Sequence, residues 1–259
     1  MNELAIVSII KNEGLYLQEW IQFHVQQGVQ KFYLYNNNST DDTLVKLKPA
    51  IRRGVVVVKH WPFIPGQMAA YKDALIHHKQ WRWLAFIDAD EFLFGVNKPL
   101  IDAVKDYEAY DGIAVHWMLY GPNGETHYKP DPVTWRFKRR DEDVNPHVKS
   151  IVRPSACEAG KDPHSFKFNP GAVCVDENKN ILGPDYSISL EGTADILRIN
   201  HYHTKSRSEA RERWKQKRAD NNKLREFATT FEAHSRGNTL DDIAWRIYDS
   251  GNAYYTNRK

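Results

Sequence analysis

The sequence predicts an α/β protein whose mostly parallel sheet is covered by helices on both faces. Short apolar runs alternate with amphipathic segments over the first 120 residues, which is typical of strands and helices in turn. Polar side chains directly follow several of these apolar runs. Because ligands in such sheets bind at the carboxyl ends of the strands, this second pattern indicates a site as well as a fold.

Five strands are predicted in this half from short apolar runs between polar or turn residues. Residues 5–10 read as a buried strand, and residues 54–60 contain four consecutive valines, which also predicts a buried strand. The predicted strands are residues 5–10, 31–35, 54–60, 83–87 and 113–120.

The segments between the strands carry helix signals. Apolar residues form one helical stripe through residues 15–27, and Gly28 follows as a C-terminal stop. Ser39 has the residue type of an N-cap, and Pro49 is expected to close the helix that it begins. The predicted helices are residues 15–27, 39–47 and 67–79, and a further one that begins at Asn97 and Pro99.

The second half of the chain is less regular. Eight prolines interrupt residues 121–197, so we expect short strands and loops built onto the edge of the sheet, where they shape a pocket. Ser206 and Glu209 form a capping box, which predicts the start of a basic helix. We expect one domain over residues 1–259, divided into residues 1–120, 121–205 and the C-terminal helices of residues 206–259.

Composition and charge exclude several classes of protein. Lys and Arg total 36 and Asp and Glu total 33, and the net charge of +3 is too weak to indicate a nucleic-acid partner. Two cysteines, Cys157 and Cys174, are too few for a disulfide scaffold or a four-cysteine zinc site. No apolar run approaches the roughly 18 residues of a membrane span, and the N-terminus lacks a basic leader. We therefore expect a cytoplasmic protein.

Polar clusters follow three of the predicted strands. Each cluster alone is also compatible with an ordinary turn or cap, but the carboxyl ends of parallel strands meet at one edge of a sheet. We therefore expect the three clusters to lie together and form a site. They are Lys11-Asn12-Glu13, Asn36-Asn37-Asn38 and Asp88-Ala89-Asp90-Glu91.

The sharpest of these clusters is the acidic one. Asp88 and Asp90 follow a buried strand, and neighbouring carboxylates repel each other unless they share a cation. Their oxygens suit Mg²⁺ or Mn²⁺. A structural alternative is that Asp88 caps the turn while Asp90 and Glu91 face solvent. A phosphatase with an aspartate nucleophile is disfavoured, because Phe92 and three preceding strands do not fit that class.

The sequence also resembles glycosyltransferase family 92 and the GT-A enzymes near family 2. The most specific matches are the KNE…EWI opening, the DADEF block and the NHY…KS block, and HVKSIVRP and HSF agree with them. The resemblance extends from residue 6 to about residue 220, which is most of the chain.

This resemblance implies a GT-A enzyme that moves a sugar from a nucleoside-diphosphate sugar, with UDP as the expected nucleotide, to a glycan or glycolipid by an inverting displacement. It implies Mn²⁺ or Mg²⁺ held by Asp88, Asp90 and His201, with His203 open as an alternative to His201. Residues 1–120 would be the nucleotide-sugar half, and residues 121–205 the acceptor side and a lid. The residues implied to bind the nucleotide sugar are Lys11, Asn12, Glu13, Asn36, Asn37, Gln67, Tyr71, Asp73, Asp88, Ala89 and Lys205.

The acceptor side carries a block that resembles the family's W-x-x-F-G pattern, with Tyr120 in place of phenylalanine. It implies an acceptor surface made of Trp117, Tyr120 and Gly121. An inverting transfer also needs a base, which we expect to be a carboxylate near that surface. Our candidates are Glu125 and Asp185, and the alternatives that stay open are Glu158, Asp176 and Glu177.

The basic segment at residues 206–225 has three interpretations: a solvated helix, a surface for anionic lipid, or a nucleic-acid surface. Glu209, Glu212 and Asp220 dilute its charge, which favours the solvated helix and then peripheral contact with an anionic membrane. In either case we expect this segment to lie apart from the donor chemistry.

Two other functions compete with glycosyl transfer. A nucleotidyltransferase would need a basic, glycine-rich loop after the first strand, and Lys11-Asn12-Glu13-Gly14 is not such a loop. A non-catalytic module that binds sugar or nucleic acid would leave the paired Asp88 and Asp90 without a purpose.

Overall fold

The computed structural model describes residues 2–224, 226–227, 231–232, 235 and 237–256. The strands are β1 (Leu4–Ile10), β2 (Lys31–Asn36), β3 (Val56–His60), β4 (Trp83–Phe86), β5 (Glu91–Gly95), β6 (Gly112–Leu119), β7 (Arg139–Arg140), β8 (Asn145–Val152), β9 (Cys157–Gly160), β10 (Phe166–Phe168), β11 (Cys174–Val175), β12 (Leu197–His201) and β13 (Thr239–Leu240). The helices are α1 (Leu17–Gln26), α2 (Thr43–Arg52), α3 (Gln67–His77), α4 (Leu100–Ala103), α5 (Val133–Arg136), α6 (Arg207–Trp214) and α7 (Ile243–Thr256), and Val104–Tyr107 and Pro154–Ala156 are short 3-10 turns.

The main sheet has the order β3-β2-β1-β4-β8-β6-β12-β5, and β11 pairs with β6. Strands β1 to β4 are mutually parallel, β8 is antiparallel to both β4 and β6, and β5 is antiparallel to β12. Only residues 87–90 separate β4 from β5, although β5 lies at the far edge. The sheet therefore curls, and the four-residue connection lies where its two halves meet.

Helices cover both faces of this sheet, as the sequence predicts. Alternate residues of β1 enter different cores: Leu4 and Ile6 pack with α1, whereas Ala5 and Val7 pack with α3. The five predicted strands of the first half are present, and the predicted helices at residues 15–27 and 67–79 correspond to α1 and α3. Short apolar runs and helical stripes were sufficient here because β1 and β4 are buried on both faces and α1 buries one stripe.

The second helix differs from its prediction. Ser39 is not its N-cap, because the Ser39 hydroxyl accepts a hydrogen bond of 3.0 Å from the Asn12 amide. The helix begins at Thr43 and includes Pro49. Proline removes the hydrogen bond to the carbonyl four residues earlier, which belongs to Val45. Val45 is 60% exposed, so this face of the helix borders solvent.

The four valines do not form a buried strand. Val56 is 2% exposed but Val57 is 43% exposed. Strand β3 is the edge of the sheet, and only one of its faces packs against the protein. A run of β-branched residues indicates a strand, but it does not reveal the strand's place in the sheet.

The second half of the chain contributes more to the sheet than predicted. Strand β8, which the prolines obscured, lies between β4 and β6 rather than at an edge. The basic helix is shorter than residues 206–225: the Ser206–Glu209 capping box is present, but α6 ends at Trp214. The chain then turns so that the Ala219 carbonyl accepts hydrogen bonds from the amides of Gly66 and Gln67.

Among the described residues, no helix combines the length and the apolar character that crossing a membrane requires.

Candidate active site

A cavity of about 470 Å³ lies at the carboxyl ends of β1, β2 and β4, and residues after α6 cover it. This is the position that the strand-end clusters predict. It brings together nine of the residues proposed from the sequence: Lys11, Glu13, Asn37, Gln67, Asp88, Ala89, Asp90, Trp117 and His201.

Asp88 is held by hydrogen bonds on one side of the cavity. Its Oδ2 accepts a hydrogen bond of 2.9 Å from Lys149 Nζ, and its Oδ1 accepts one of 3.2 Å from Gln67 Nε2. Its backbone amide donates to Glu91 Oε2 at 2.9 Å. The two side-chain hydrogen bonds hold the Asp88 carboxylate in one orientation.

Lys149 and Glu91 lie behind Asp88 in the protein interior, 3.7 Å apart between Nζ and Oε1. Burial raises the pKa of Glu91 well above its usual range, and Lys149 only partly opposes this. Burial disfavours the Lys149 ammonium, but Asp88 and Glu91 outweigh it and raise its pKa. The closest ion pair here is thus Lys149 with Asp88, and burial disfavours ionisation of the adjacent Glu91.

Asp90 lies in a separate set of contacts. Its Oδ2 is 2.6 Å from Arg213 Nη1 and 3.4 Å from His201 Nε2. Although burial opposes ionisation, Arg213 and His201 hold the pKa of Asp90 well below its usual range. Its other oxygen, Oδ1, is buried and has no hydrogen-bond partner among the described residues. Asp90 is therefore an ionised carboxylate with one oxygen to offer.

The residues around Asp90 fit a divalent metal. Ligand atoms of Asp90, His201 and His203 lie within 4.8 Å of one another. The buried His201 Nδ1 likewise has no hydrogen-bond partner in the described part of the chain. Burial lowers the pKa of His201 despite the opposing charge of Asp90, and this favours the neutral imidazole that a metal requires. The geometry joins both histidines to Asp90 but leaves Asp88 out of the cluster.

An aromatic wall closes the opposite side of the cavity. The Trp117 ring stacks on His147 at 5.2 Å and 16°, and it lies 5.2 Å from His164 and 4.4 Å from His201. The Nδ1 atoms of His147 and His164 contact Asn145 Oδ1 and the Val148 carbonyl, both at 2.9 Å. These contacts fix the rings with their Nε2 edges remaining for a ligand.

Several residues proposed for the nucleotide sugar do not line the cavity. The Asn12 side chain accepts a hydrogen bond of 2.7 Å from the Thr40 amide, and the Asn36 side chain accepts one of 3.1 Å from the Ser39 amide. Both therefore shape the loops around the site. Tyr71 is buried behind Gln67, whose Nε2 donates to its hydroxyl at 3.0 Å.

Asp73 and Lys205 also lie outside the cavity lining. Asp73 pairs with Lys59 at 2.7 Å and accepts a hydrogen bond of 2.7 Å from the Tyr35 hydroxyl. The Lys205 ammonium is buried, lies 4.4 Å from the centre of the Tyr16 ring and donates to the Tyr202 carbonyl at 3.4 Å. Burial lowers its pKa, even though Asp90 and Glu13 favour its charge.

Some of the residues predicted for the acceptor and the base line the cavity, and others lie outside it. Trp117 lines the cavity, but Tyr120 is 1% exposed and packs on Tyr202 in the core. Gly121 is buried and its amide donates to the Arg139 carbonyl at 3.3 Å. Neither of the two base candidates lines the cavity: Glu125 pairs with Lys129, and Asp185 pairs with Lys161 on the surface.

Sequence reasoning missed the residues that complete the site. The HVK and HSF stretches were noted only as similarities, yet they supply His147, Lys149 and His164. Arg213 was one of many basic residues in a segment expected to lie apart from the donor. The structure corrects this expectation, because Arg213, Lys217 and Arg218 all line the cavity. Helical spacing alone could not show which basic residue turns inward.

Comparison with known proteins adds the family. Residues 9–233 match the model of glycosyltransferase family 92. A family 92 protein of Ricinus communis is 31% identical over 192 residues, covering 70% of this chain and 34% of the relative. One of Oryza sativa subsp. japonica is 32% identical over 210 residues, covering 78% of this chain and 33% of the relative. The chain thus spans about a third of the length of these relatives.

Solved structures are more distant. The crystal structure of S. aureus TarS 1–349 in complex with UDP has a TM-score of 0.43 and 16% identity, covering 60% of this chain and 47% of that one. Glucosyl-3-phosphoglycerate synthase from Mycobacterium tuberculosis, in complex with Mn²⁺, UDP and glucosyl-3-phosphoglycerate, has a TM-score of 0.33 and 20% identity, covering 52% and 47%.

The curled, mostly parallel sheet with helices on both faces is the GT-A fold of glycosyltransferases. The chain belongs to glycosyltransferase family 92, as its motifs predicted.

Proposed function

We propose that this enzyme transfers a sugar from a UDP-sugar to a glycan or glycolipid acceptor in a metal-dependent, inverting reaction. The observation that carries the proposal is the cavity at the strand ends. It combines the Asp90, His201 and His203 cluster with the predicted nucleotide-side residues Lys11 and Glu13.

Asp90, His201 and His203 would hold the metal, because Asp90 Oδ1 and His201 Nδ1 are buried without hydrogen-bond partners in the described chain. A divalent cation bound there would neutralise charge on the diphosphate leaving group. Asp88 has a different task. Because Asp88 is held by Lys149 and Gln67, it is suited to orient the donor rather than to bind the metal.

The aromatic wall supports an acceptor position on the other side of the cavity. Trp117 lines the cavity, where its aromatic ring can contact a sugar. Glu125 and Asp185 lie outside the cavity, so we transfer the role of base from these carboxylates to His147. With its Nδ1 donating to Asn145 Oδ1, the neutral His147 ring carries its lone pair on Nε2.

The partners follow from this reading. The donor is a nucleotide sugar, and the exposed basic residues of α6 remain a proposed contact with an anionic membrane, consistent with a cytoplasmic enzyme at a membrane surface. Nucleic acid has no part in the proposal.

Calorimetric titration with UDP, with and without Mn²⁺, tests the proposal. Wild type should bind UDP at least about tenfold more tightly with Mn²⁺, and Asp90→Asn should lose that difference. Asp106→Asn is the matched control, since Asp106 is exposed and pairs with Lys98 on the surface. Mn²⁺-dependent UDP binding that survives in Asp90→Asn would overturn the metal assignment. Preference for a nucleoside triphosphate over UDP and UDP-sugars would instead favour a nucleotidyltransferase.

A further inference from the structure

Arg213 and Asp90 form the shortest ion pair of the candidate active site. Arg213 Nη1 lies 2.6 Å from Asp90 Oδ2, and the carboxylate is 1% exposed. The second guanidinium nitrogen, Nη2, lies 4.0 Å from Glu13 Oε1. Arg213 is thus the counter-ion of the same carboxylate that the metal cluster needs.

The Arg213 guanidinium, in this position, would repel a divalent cation bound to Asp90. Like charges a few ångströms apart repel strongly where water is largely excluded. Arginine cannot relieve the conflict by losing its proton, because its guanidinium stays charged in proteins. A divalent cation on the free Oδ1 of Asp90 would lie within a few ångströms of the guanidinium on Oδ2, so its binding favours displacement of the Arg213 side chain.

The backbone that carries Arg213 is held in place, so the side chain is the part that moves. Helix α6 begins with the Ser206–Glu209 capping box, and Glu209 forms a buried bidentate ion pair with Arg136 at 2.7 and 2.9 Å. After the helix, Ala219 is hydrogen-bonded to the start of α3. The Arg213 side chain is 26% exposed and faces the cavity, which leaves room for another rotamer.

The other charges of the cavity indicate where the Arg213 side chain would move. Asp88 is neutralised by Lys149, and Asp220 pairs with Arg218 at 2.8 Å. Lys11 and Lys217 also line the cavity. An arginine released from Asp90 would join these two lysines, where an anionic diphosphate is favoured.

We propose that Arg213 competes with the divalent cation for Asp90 and, when the cation binds, moves to the diphosphate of the donor. This inference rests on the proposed function. It assigns to one side chain opposite effects on two ligands: Arg213 weakens binding of the metal alone and strengthens binding of the metal with nucleotide.

The test measures both ligands on Arg213→Met and on Arg213→Lys, which keeps the charge but loses the planar fork. Arg211→Met is the matched control, since Arg211 lies on the exposed side of the same helix. Mn²⁺ binding without nucleotide is followed by the electron paramagnetic resonance signal of free Mn²⁺. UDP binding at saturating Mn²⁺ is followed by calorimetry, and unfolding curves establish that each variant is folded.

Arg213→Met should bind Mn²⁺ about tenfold more tightly than wild type and should bind UDP with saturating Mn²⁺ about tenfold more weakly. Arg213→Lys should fall between the two, and Arg211→Met should match wild type. Equal or weaker Mn²⁺ affinity in folded Arg213→Met would overturn the competition. Unchanged UDP affinity would overturn the move to the diphosphate. Failure of every variant and of wild type to bind Mn²⁺ would instead remove the metal-dependent function, and this inference with it.

Discussion

Lys149 of β8 and Asp88, which follows β4, form an ion pair of 2.9 Å across two neighbouring strands of the sheet. The Lys149 side chain is 1% exposed, and the buried Glu91 carboxyl lies beside it. A strand from the irregular half of the chain therefore fixes the first aspartate of the DADEF block.

Removing this lysine should destabilise the fold. Lys149→Met leaves the Asp88 carboxylate partly buried without its cation, and we expect the free energy of unfolding to fall by about 3 kcal/mol in urea denaturation. Lys167→Met is the control: its pair with Glu158 is on the surface and should contribute less than about 1 kcal/mol. Wild-type stability in Lys149→Met would show that the pair is not needed for folding.

A second buried pair anchors α6. Arg136 and Glu209 have side chains that are 2% and 5% exposed, and the Tyr16 hydroxyl also donates to Glu209 at 2.8 Å. Arg136→Met should lower the free energy of unfolding by about 3 kcal/mol, because Glu209 then stays buried without a cation. The double variant with Glu209→Gln should recover part of this loss, and a double variant no more stable than Arg136→Met would contradict the account.

Stability should fall in acid partly through His164. Burial, with the nearby Lys149 ammonium, lowers the pKa of His164 to about 4, whereas the unfolded chain titrates at about 6.5. Between these values the unfolded state binds more protons, so the free energy of unfolding falls as pH is lowered from about 6.5 to 4. His164→Gln should flatten this slope, while His127→Gln, at an exposed position, should not. If the free energy of unfolding changes with pH equally in all three proteins, His164 does not contribute to the loss of stability in acid.

The outward side of α6 should not affect the donor. Arg211 is exposed and Lys215 directly follows α6; neither lines the active-site cavity in the described chain, and Lys215 pairs with Glu212 at 2.6 Å on the surface. The double variant Arg211→Ala with Lys215→Ala should keep the UDP affinity within about threefold. If wild type binds anionic vesicles, the double variant should bind them more weakly by about 1 kcal/mol per charge removed. Binding of both proteins should decline with salt. Absence of vesicle binding by wild type at low salt would remove the proposed membrane contact.

Much of the candidate site at the strand ends could be predicted because it depends on local sequence. The apolar run of β1 and the amphipathic stripe of α1 are visible at short range, and Asp88 and Asp90 follow directly from a strand end. The rule that ligands lie at the carboxyl ends of parallel strands then located the cavity. Family resemblance added His201, which no periodicity would have selected.

The partners of these residues depend on contacts that are distant in sequence. Asp88 and Lys149 are 61 positions apart, and Asp90 and Arg213 are 123 apart. Nothing local marks β8 as a central strand or Arg213 as the inward arginine of α6. The sequence by itself determined the alternation of elements and the two aspartates, because propensity, periodicity and strand-end position are local. Only the tertiary structure decided which cation each aspartate binds, because the curl of the sheet and the turn after Trp214 bring those cations to the cavity.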